Sequence, residues 1–438
     1  MPTRRRLGEP FRTLCTAAGL SSTGTGITDA AVPLYVLAVA GADAGPGALG
    51  VVAGAAALPS VVLALPSGVV ADRYDRRQIM LGADLGRAAC LVAFAVLALA
   101  GAVATWSIAV LALAVGAGQA LFAGAAQPLL PTLVDDERLD DANGRLATAT
   151  DVGGEFVGPP IGSALFTVAH AVPFAFDAVT YVASSILIGR LPRPPTPAGP
   201  RARPRLAPAV AAVRASRTLR SLWIALVVLA LCNTTVSTIL VLLLRDRIGL
   251  AERWFGVAFS AIAAGAVVAG LGTGRAVAAL GARATITLAI VVNLAAYVTL
   301  GLTERVAVAF VALVVWGLAV TTGTIVAMSI RQRRTRDEIR GRVMSLFRFG
   351  TALGALIGAL AAGALASWIG PSSTVVTAGA VQLVTVVVVL AGVRDVEVPV
   401  AADPAPTAWR PGADDLTEVA GPTVSGRSSR RRRGGCGR

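Results

Sequence analysis

Gly68-Val69-Val70-Ala71-Asp72-Arg73-Tyr74-Asp75-Arg76-Arg77 closes one apolar run, 48–71, and leads into another, 79–101. A run of about 20 apolar residues is long enough to cross the hydrocarbon layer of a bilayer as a helix. A short charged stretch between two such runs therefore reads as a turn at a membrane face. Moving outward, the same pattern recurs, giving twelve runs in all: 12–40, 48–71, 79–101, 105–130, 146–169, 173–190, 221–244, 254–274, 284–302, 306–330, 344–369 and 373–393. The composition agrees. Of 438 residues, 55% are hydrophobic and only 15% charged, too few charges to cover a water-facing surface. The expected fold is all-α and integral to a membrane, with twelve transmembrane helices. A membrane β-barrel would show short alternating strands, and that pattern is missing.

Arginine sets the orientation. The chain has 39 basic residues, all Arg, and a net charge of +14. With the N-terminus inside, 33 Arg fall in cytoplasmic segments and four (Arg245, Arg247, Arg253, Arg305) in outer loops, while Arg87 and Arg348 lie within spans. Positive charge collects on the cytoplasmic side of membrane proteins, so this imbalance predicts both termini inside a plasma or inner membrane. It also accounts for the net charge through an anionic lipid surface rather than nucleic acid. The four Cys are scattered, and His170 is the single His. No metal-ligand spacing results, and no cofactor is expected.

The chain divides in the middle. Residues 191–208 carry seven Pro and several Arg without an acid, which reads as an extended linker. The expected organisation is a six-helix bundle over 1–190, a Pro/Arg-rich cytoplasmic linker over 191–220, a second six-helix bundle over 221–393 and a disordered cytoplasmic tail over 394–438. The halves echo each other. Gly144-Arg145 and Gly341-Arg342 lie 197 residues apart, and the stretches opening at Gly68 and Gly272 lie 204 apart. Internal repeats in a membrane chain point to a transporter with its site where the repeats meet.

The stretch 68–77 resembles the hallmark loop of the major facilitator superfamily, in the same place between spans 2 and 3. Gly68, Ala71, Asp72, Arg73, Arg76 and Arg77 match; Val70 stands for a Leu and Asp75 for a second Gly. The resemblance implies that Gly68, Asp72, Arg73, Arg76 and Arg77 form a gate motif holding the inner side shut. A second stretch, Gly154-Glu155-Phe156-Val157-Gly158-Pro159-Pro160-Ile161-Gly162-Ser163, resembles the antiporter motif of the superfamily's export branch, with Ser163 in place of its last Gly. Gly154, Gly158, Pro159 and Gly162 carry that likeness. With the surrounding residues, the likeness narrows to the group that includes macrolide-efflux and enterobactin-type siderophore exporters. One departure stands out: many drug antiporters of the superfamily have an Arg in span 4, and this span has none, with Gln119 among its polar residues.

Ionisable groups inside a membrane are costly and usually functional. Asp29 lies well inside span 1 and shares a helical face with Ser22 and Thr25. Asp151, Glu155, Gly158 and Gly162 fall at i, i+4, i+7 and i+11, on one face of span 5, with Glu155 near the midplane. Asp84 and Arg87 are one turn apart and can pair, and Asp177 lies towards the outer end of span 6. Asp29, Glu155 and Asp151 are the proton-coupling candidates. Gln119, Asn233, Ser237 and Asn293 are the substrate-cavity candidates, with Thr234 and Thr238 near them. Trp223, Trp254, Trp316 and Trp368 are expected at membrane interfaces.

These readings predict a secondary transporter, not an enzyme: a monomer that exports small amphipathic molecules by proton antiport, with alternating access. A proton-coupled importer of a nutrient is the alternative on the same fold. A membrane enzyme is disfavoured, because no nucleophile–base cluster or nucleotide-binding loop is visible.

Overall fold

The computed structural model describes residues 8–64, 74–135, 138–192 and 207–393. They belong to one compact unit, 1–397. Every regular element among them is helical. The helices are α1 (Glu9–Val62), α2 (Arg76–Leu99), α3 (Thr105–Leu129), α4 (Leu139–Asp151), α5 (Gly158–Val168), α6 (Val172–Gly189), α7 (Ala207–Ala215), α8 (Arg217–Leu242), α9 (Phe255–Leu280), α10 (Ala282–Leu302), α11 (Val306–Arg334), α12 (Asp337–Ile369) and α13 (Pro371–Gly392). Ten helices among the described residues are long and apolar enough to cross a membrane.

Two of the twelve expected spans, 12–40 and 146–169, are not among these ten, which are counted by length and apolarity alone. First, α1 runs through both of the first two expected spans, and its apolar stretch Gly45–Val62 is the part counted. In a straight helix Asp29 and Ala56 would stand roughly 40 Å apart. Instead, residues 25–33 and 49–60 line one cavity, so the chain doubles back and its second arm returns beside the first. Pro33, Pro46 and Pro59 lie inside α1. Each removes a backbone donor and bends the ladder.

Second, the span expected over 146–169 is broken into α4, a π-helical turn Val152–Val157 and α5. Pro159 and Pro160 have no N–H to give to the carbonyls of Glu155 and Phe156, and a π turn is one way to accommodate that loss. The turn also upsets the expected common face. Asp151 and Glu155 are exposed, while Gly158 and Gly162 are buried.

Two further expectations change. The linker over 191–220 is partly helical: α7 buries Ala209 and Val213, and α8 starts at Arg217, where the Ser216 hydroxyl accepts from Leu219 N at 3.3 Å. The stretch opening at Gly272 is no loop but part of α9, and the turn comes at Gly281, whose φ is 80°. Residues 193–206, the tail 394–438, Gly68, Asp72 and Arg73 lie outside the described residues.

Helices before residue 192 meet those after 207 towards one end of the molecule. There the returning arm of α1 lies on α12: a Cβ on Gly50 would stand 2.7 Å from the Gly363 Cα. At the same end α5 lies on the start of α9, where the Ser163 hydroxyl accepts from Gly256 N at 3.1 Å and donates to Arg253 O at 3.2 Å.

Candidate functional site

A cavity of about 490 Å³ lies between the two arms of α1 and helices α3, α8 and α9. Most of its wall is apolar: Val32, Leu49, Val52, Leu111, Val115 and Phe259 contribute. Hydroxyls of Thr25, Thr28, Ser60, Thr234, Ser237 and Thr238 and the amide of Gln119 are spaced round it. Among the described residues Asp29 is the one charged residue on the wall, and its side chain is exposed to the space.

Behind this wall sits a buried polar network. The Arg87 guanidinium ion-pairs with Asp84, and both side chains are wholly buried. It also donates to Gln119 Oε1 at 2.7 Å and to Ser21 Oγ at 3.2 Å, and it lies over the Tyr181 ring at 4.0 Å. Gln119 is therefore shared: its carbonyl is taken by Arg87, which leaves its NH₂ for the cavity. Beside it Asp177, fully buried, accepts from Thr28 Oγ1 at 2.5 Å and from Thr180 Oγ1 at 3.1 Å. Gly24 of α1 makes this possible, since a Cβ there would strike Asp177 and Thr180. Asp177 thus binds α6 to α1 rather than serving the outer end of its own helix. The network also answers the missing span-4 Arg: Arg87, from α2, delivers a buried cation to Gln119 of α3.

Of the residues singled out in the sequence, Asp29, Gln119 and Ser237 come together at the cavity. Asn233 points elsewhere, accepting from Trp316 Nε1 at 2.8 Å. Trp316, expected at an interface, is buried for that reason; Trp368 is 84% exposed. Asn293 is buried away from the cavity. Glu155 and Asp151 are exposed outside it, and Ser22 lies against Gly154.

The antiporter-like segment packs tightly on α1. Where a Cβ would be on Gly158, the Thr23 carbonyl lies at 2.6 Å, and Gly162 meets Ile27 in the same way. Ser260 of α9 donates to Phe156 O at 2.9 Å, filling the acceptor that Pro160 leaves without its helical donor. Ser260 was not visible as a site residue, although a Pro four residues after Phe156 was the signal for it.

At the gate motif, Arg77 Nε donates to Ile188 O at 3.0 Å and Nη2 donates to Gly189 O. A cation at the last carbonyls of α6 is favourable there. Asp75, which departs from the motif, caps α2 by accepting from Arg77 N at 2.9 Å. Arg76 is half-buried.

A sequence profile of the transmembrane secretion effector family matches residues 5–421. Macrolide efflux protein A of Enterococcus faecalis is 30% identical over 140 residues, which is 31% of this chain; the match spans 43% of that protein's length. Among solved structures, a point mutant of the nucleoside transporter NupG superposes with a TM-score of 0.74 at 11% identity, covering 87% of this chain and 99% of the other. An inward-facing bacterial homologue of the iron transporter ferroportin gives 0.69 at 20% identity, covering 88% and 99%. An inward-facing, occupied bacterial homologue of the lysosomal transporter Spinster gives 0.70 at 12% identity, covering 88% and 98%.

Proposed function

Since the chain belongs to the transmembrane secretion effector family of major facilitator transporters, we propose that it exports small amphipathic molecules by proton antiport. The observation that carries this reading is the cavity: a largely apolar chamber of about 490 Å³ with one acid, Asp29, on its wall. Such a chamber accepts an apolar body and leaves a carboxylate free to exchange a proton with the cargo. The partial match to a macrolide efflux protein favours export over import. The chain works as a monomer in the plasma membrane, both termini cytoplasmic. Cargo loads from the inner side and leaves when the outer contacts of α1 with α12 and of α5 with α9 part.

Asp29 is the first coupling residue in this scheme. Glu155, within the π turn, and Asp151, just before it, are exposed outside the cavity and are the second and third. Asp72 and Arg76 bias the gate. The test is transport of a macrolide into inside-out vesicles with an imposed pH gradient. Accumulation that collapses with the gradient, and that fails in Asp29→Asn, is the expected result. Accumulation indifferent to the gradient removes proton antiport, and movement only in the opposite direction removes export.

A further inference from the structure

A second hollow, of about 280 Å³, lies between α9, α10 and α11 and shares no residue with the cavity described above. Val268, Gly272 and Leu280 of α9, Leu288 and Val292 of α10 and Leu318 of α11 give it an apolar wall. Thr273 and Thr285 also line it, but Thr273 Oγ1 donates to Ala269 O at 2.6 Å and Thr285 Oγ1 to Gly281 O at 2.8 Å. Both hydroxyls thus spend their hydrogens on their own helices, and neither is left to donate to a polar ligand. Gly272 keeps the hollow open. A Cβ there would meet nothing within 4 Å, whereas Gly265 and Gly317, where α9 and α11 touch, have no room for one. Val268, Leu280 and Leu288 are each more than half exposed. All three helices belong to stretches long and apolar enough to cross a membrane, so in a bilayer the hollow opens to lipid.

Length and charge select the occupant. From Val268 to Leu280 the wall follows α9 for roughly 18 Å. One leaflet of hydrocarbon is about 15 Å deep, half of a core of about 30 Å. The hollow ends at the Gly281 turn that joins α9 to α10. The three helices contain no Asp or Glu and five Arg: Arg275, Arg283, Arg331, Arg333 and Arg334. α9 and α11 run parallel, Gly265 meeting Val314 and Thr273 meeting Thr322, which brings the last turn of α11 level with Gly281. Arg283 donates to Leu390 O at 3.2 Å and Arg331 is buried, but Arg275 and Arg333 are exposed. We infer that this hollow seats one acyl chain of an anionic phospholipid, with Arg275 and Arg333 holding the headgroup phosphate at the Gly281 end. A zwitterionic lipid brings the same chain and phosphate but cancels the charge with its own amine, so a net anionic lipid is preferred. The inference is independent of which cargo the central cavity carries and in which direction.

The experiment uses the purified, delipidated full-length chain in detergent. Phosphatidylglycerol and phosphatidylcholine with the same acyl chains are titrated in and followed by native mass spectrometry. The wild type is expected to bind its first phosphatidylglycerol at least tenfold more tightly than phosphatidylcholine. Gly272→Leu puts a side chain into the hollow without striking the protein, and weakens that binding at least fivefold. Gly82→Leu, on α2, where a Cβ also meets nothing within 4 Å, leaves it unchanged. Arg275→Gln combined with Arg333→Gln abolishes the preference between the two lipids while the weaker binding of the chain persists.

Equal binding of both lipids by the wild type overturns the inference. So does equal weakening by Gly272→Leu and Gly82→Leu, or none by Gly272→Leu, because the bound lipid is then part of the general shell. Glycerol 1-phosphate, which has the phosphate without the chains, should not displace the lipid; displacement would make this a site for free phosphate. A dimer in detergent that Gly272→Leu dissociates would put a second copy of the chain in the hollow and overturn the lipid seat. Should the double arginine variant fail to fold, the contrast between Gly272→Leu and Gly82→Leu decides.

Discussion

Ser163 and Asp75 stand where their motifs elsewhere carry glycine, and both are tied by hydrogen bonds. Ser163 bridges α5 to the start of α9 through Arg253 O and Gly256 N. Ser163→Gly restores the motif but leaves that N–H without its acceptor. A hydrogen bond contributes about 1 kcal/mol net, and an orphaned buried donor costs about 1–3 kcal/mol. A lower melting temperature in detergent is the expected result; an unchanged one would show that the bridge contributes nothing. Arg87 is more heavily committed, to Asp84, Gln119, Ser21 and the Tyr181 ring. Arg87→Ala leaves Asp84 buried and unpaired, a loss of roughly 3–5 kcal/mol. Arg87→Lys keeps the charge but not the fork that reaches several acceptors at once. Its stability should fall between those of Arg87→Ala and the wild type, and equal stability of Lys and wild type would reduce the site to simple charge pairing.

Helices make their own demands. Gly158 faces the Thr23 carbonyl so closely that Gly158→Val must push α5 away from α1. Overpacking of this kind costs typically 1–3 kcal/mol. Poor yield and a lowered melting temperature are expected, and a melt like that of the wild type would mean that the helices separate without loss. Much at this scale was legible in the sequence. Runs of apolar residues located most helices, because in lipid each backbone group must bond within its own segment. Asp29 stood out because a charge inside a span is rare. The doubling back of α1 was legible as two spans, though not as one continuous helix. The π turn was not legible: Pro159 and Pro160 take two donors from the ladder, but the sequence does not say how the backbone before them adjusts. Nor were the directions of Asn233 and Asn293, because the period of a helix with polar residues on several faces does not say which neighbour each will meet. Arg87 was visible as a partner for Asp84, but its reach to Gln119 depended on how α2 and α3 lie together.

At the scale of the whole molecule, α1 touches α12 and α5 touches α9, joining helices before residue 192 to those after 207. Gly50 and Gly363 allow the backbones of α1 and α12 to touch. Gly363→Leu should hold these two helices apart and shift the balance towards an outward-open state. A cysteine at Val52, on the cavity wall, would then react with a membrane-impermeant thiol reagent added outside, faster than in the parent carrying the same cysteine. Equal rates would mean that this contact does not govern opening. The π turn of Val152–Val157 carries a different consequence, one of chain length. A π turn holds one residue more than the α turn it replaces. Losing one residue there restores regular bonding and leaves Gly158, Gly162 and Ser163 facing α1 and α9, whereas losing one from the regular turns of α5 rotates what lies beyond it by about 100° about the helix axis. An in-frame loss of one codon within 152–157 should therefore be borne better than the same loss within 159–162. Deletion scans of the two stretches, read by transport, measure the difference, and equal damage from both would show that the protein has no residue to spare where it bends.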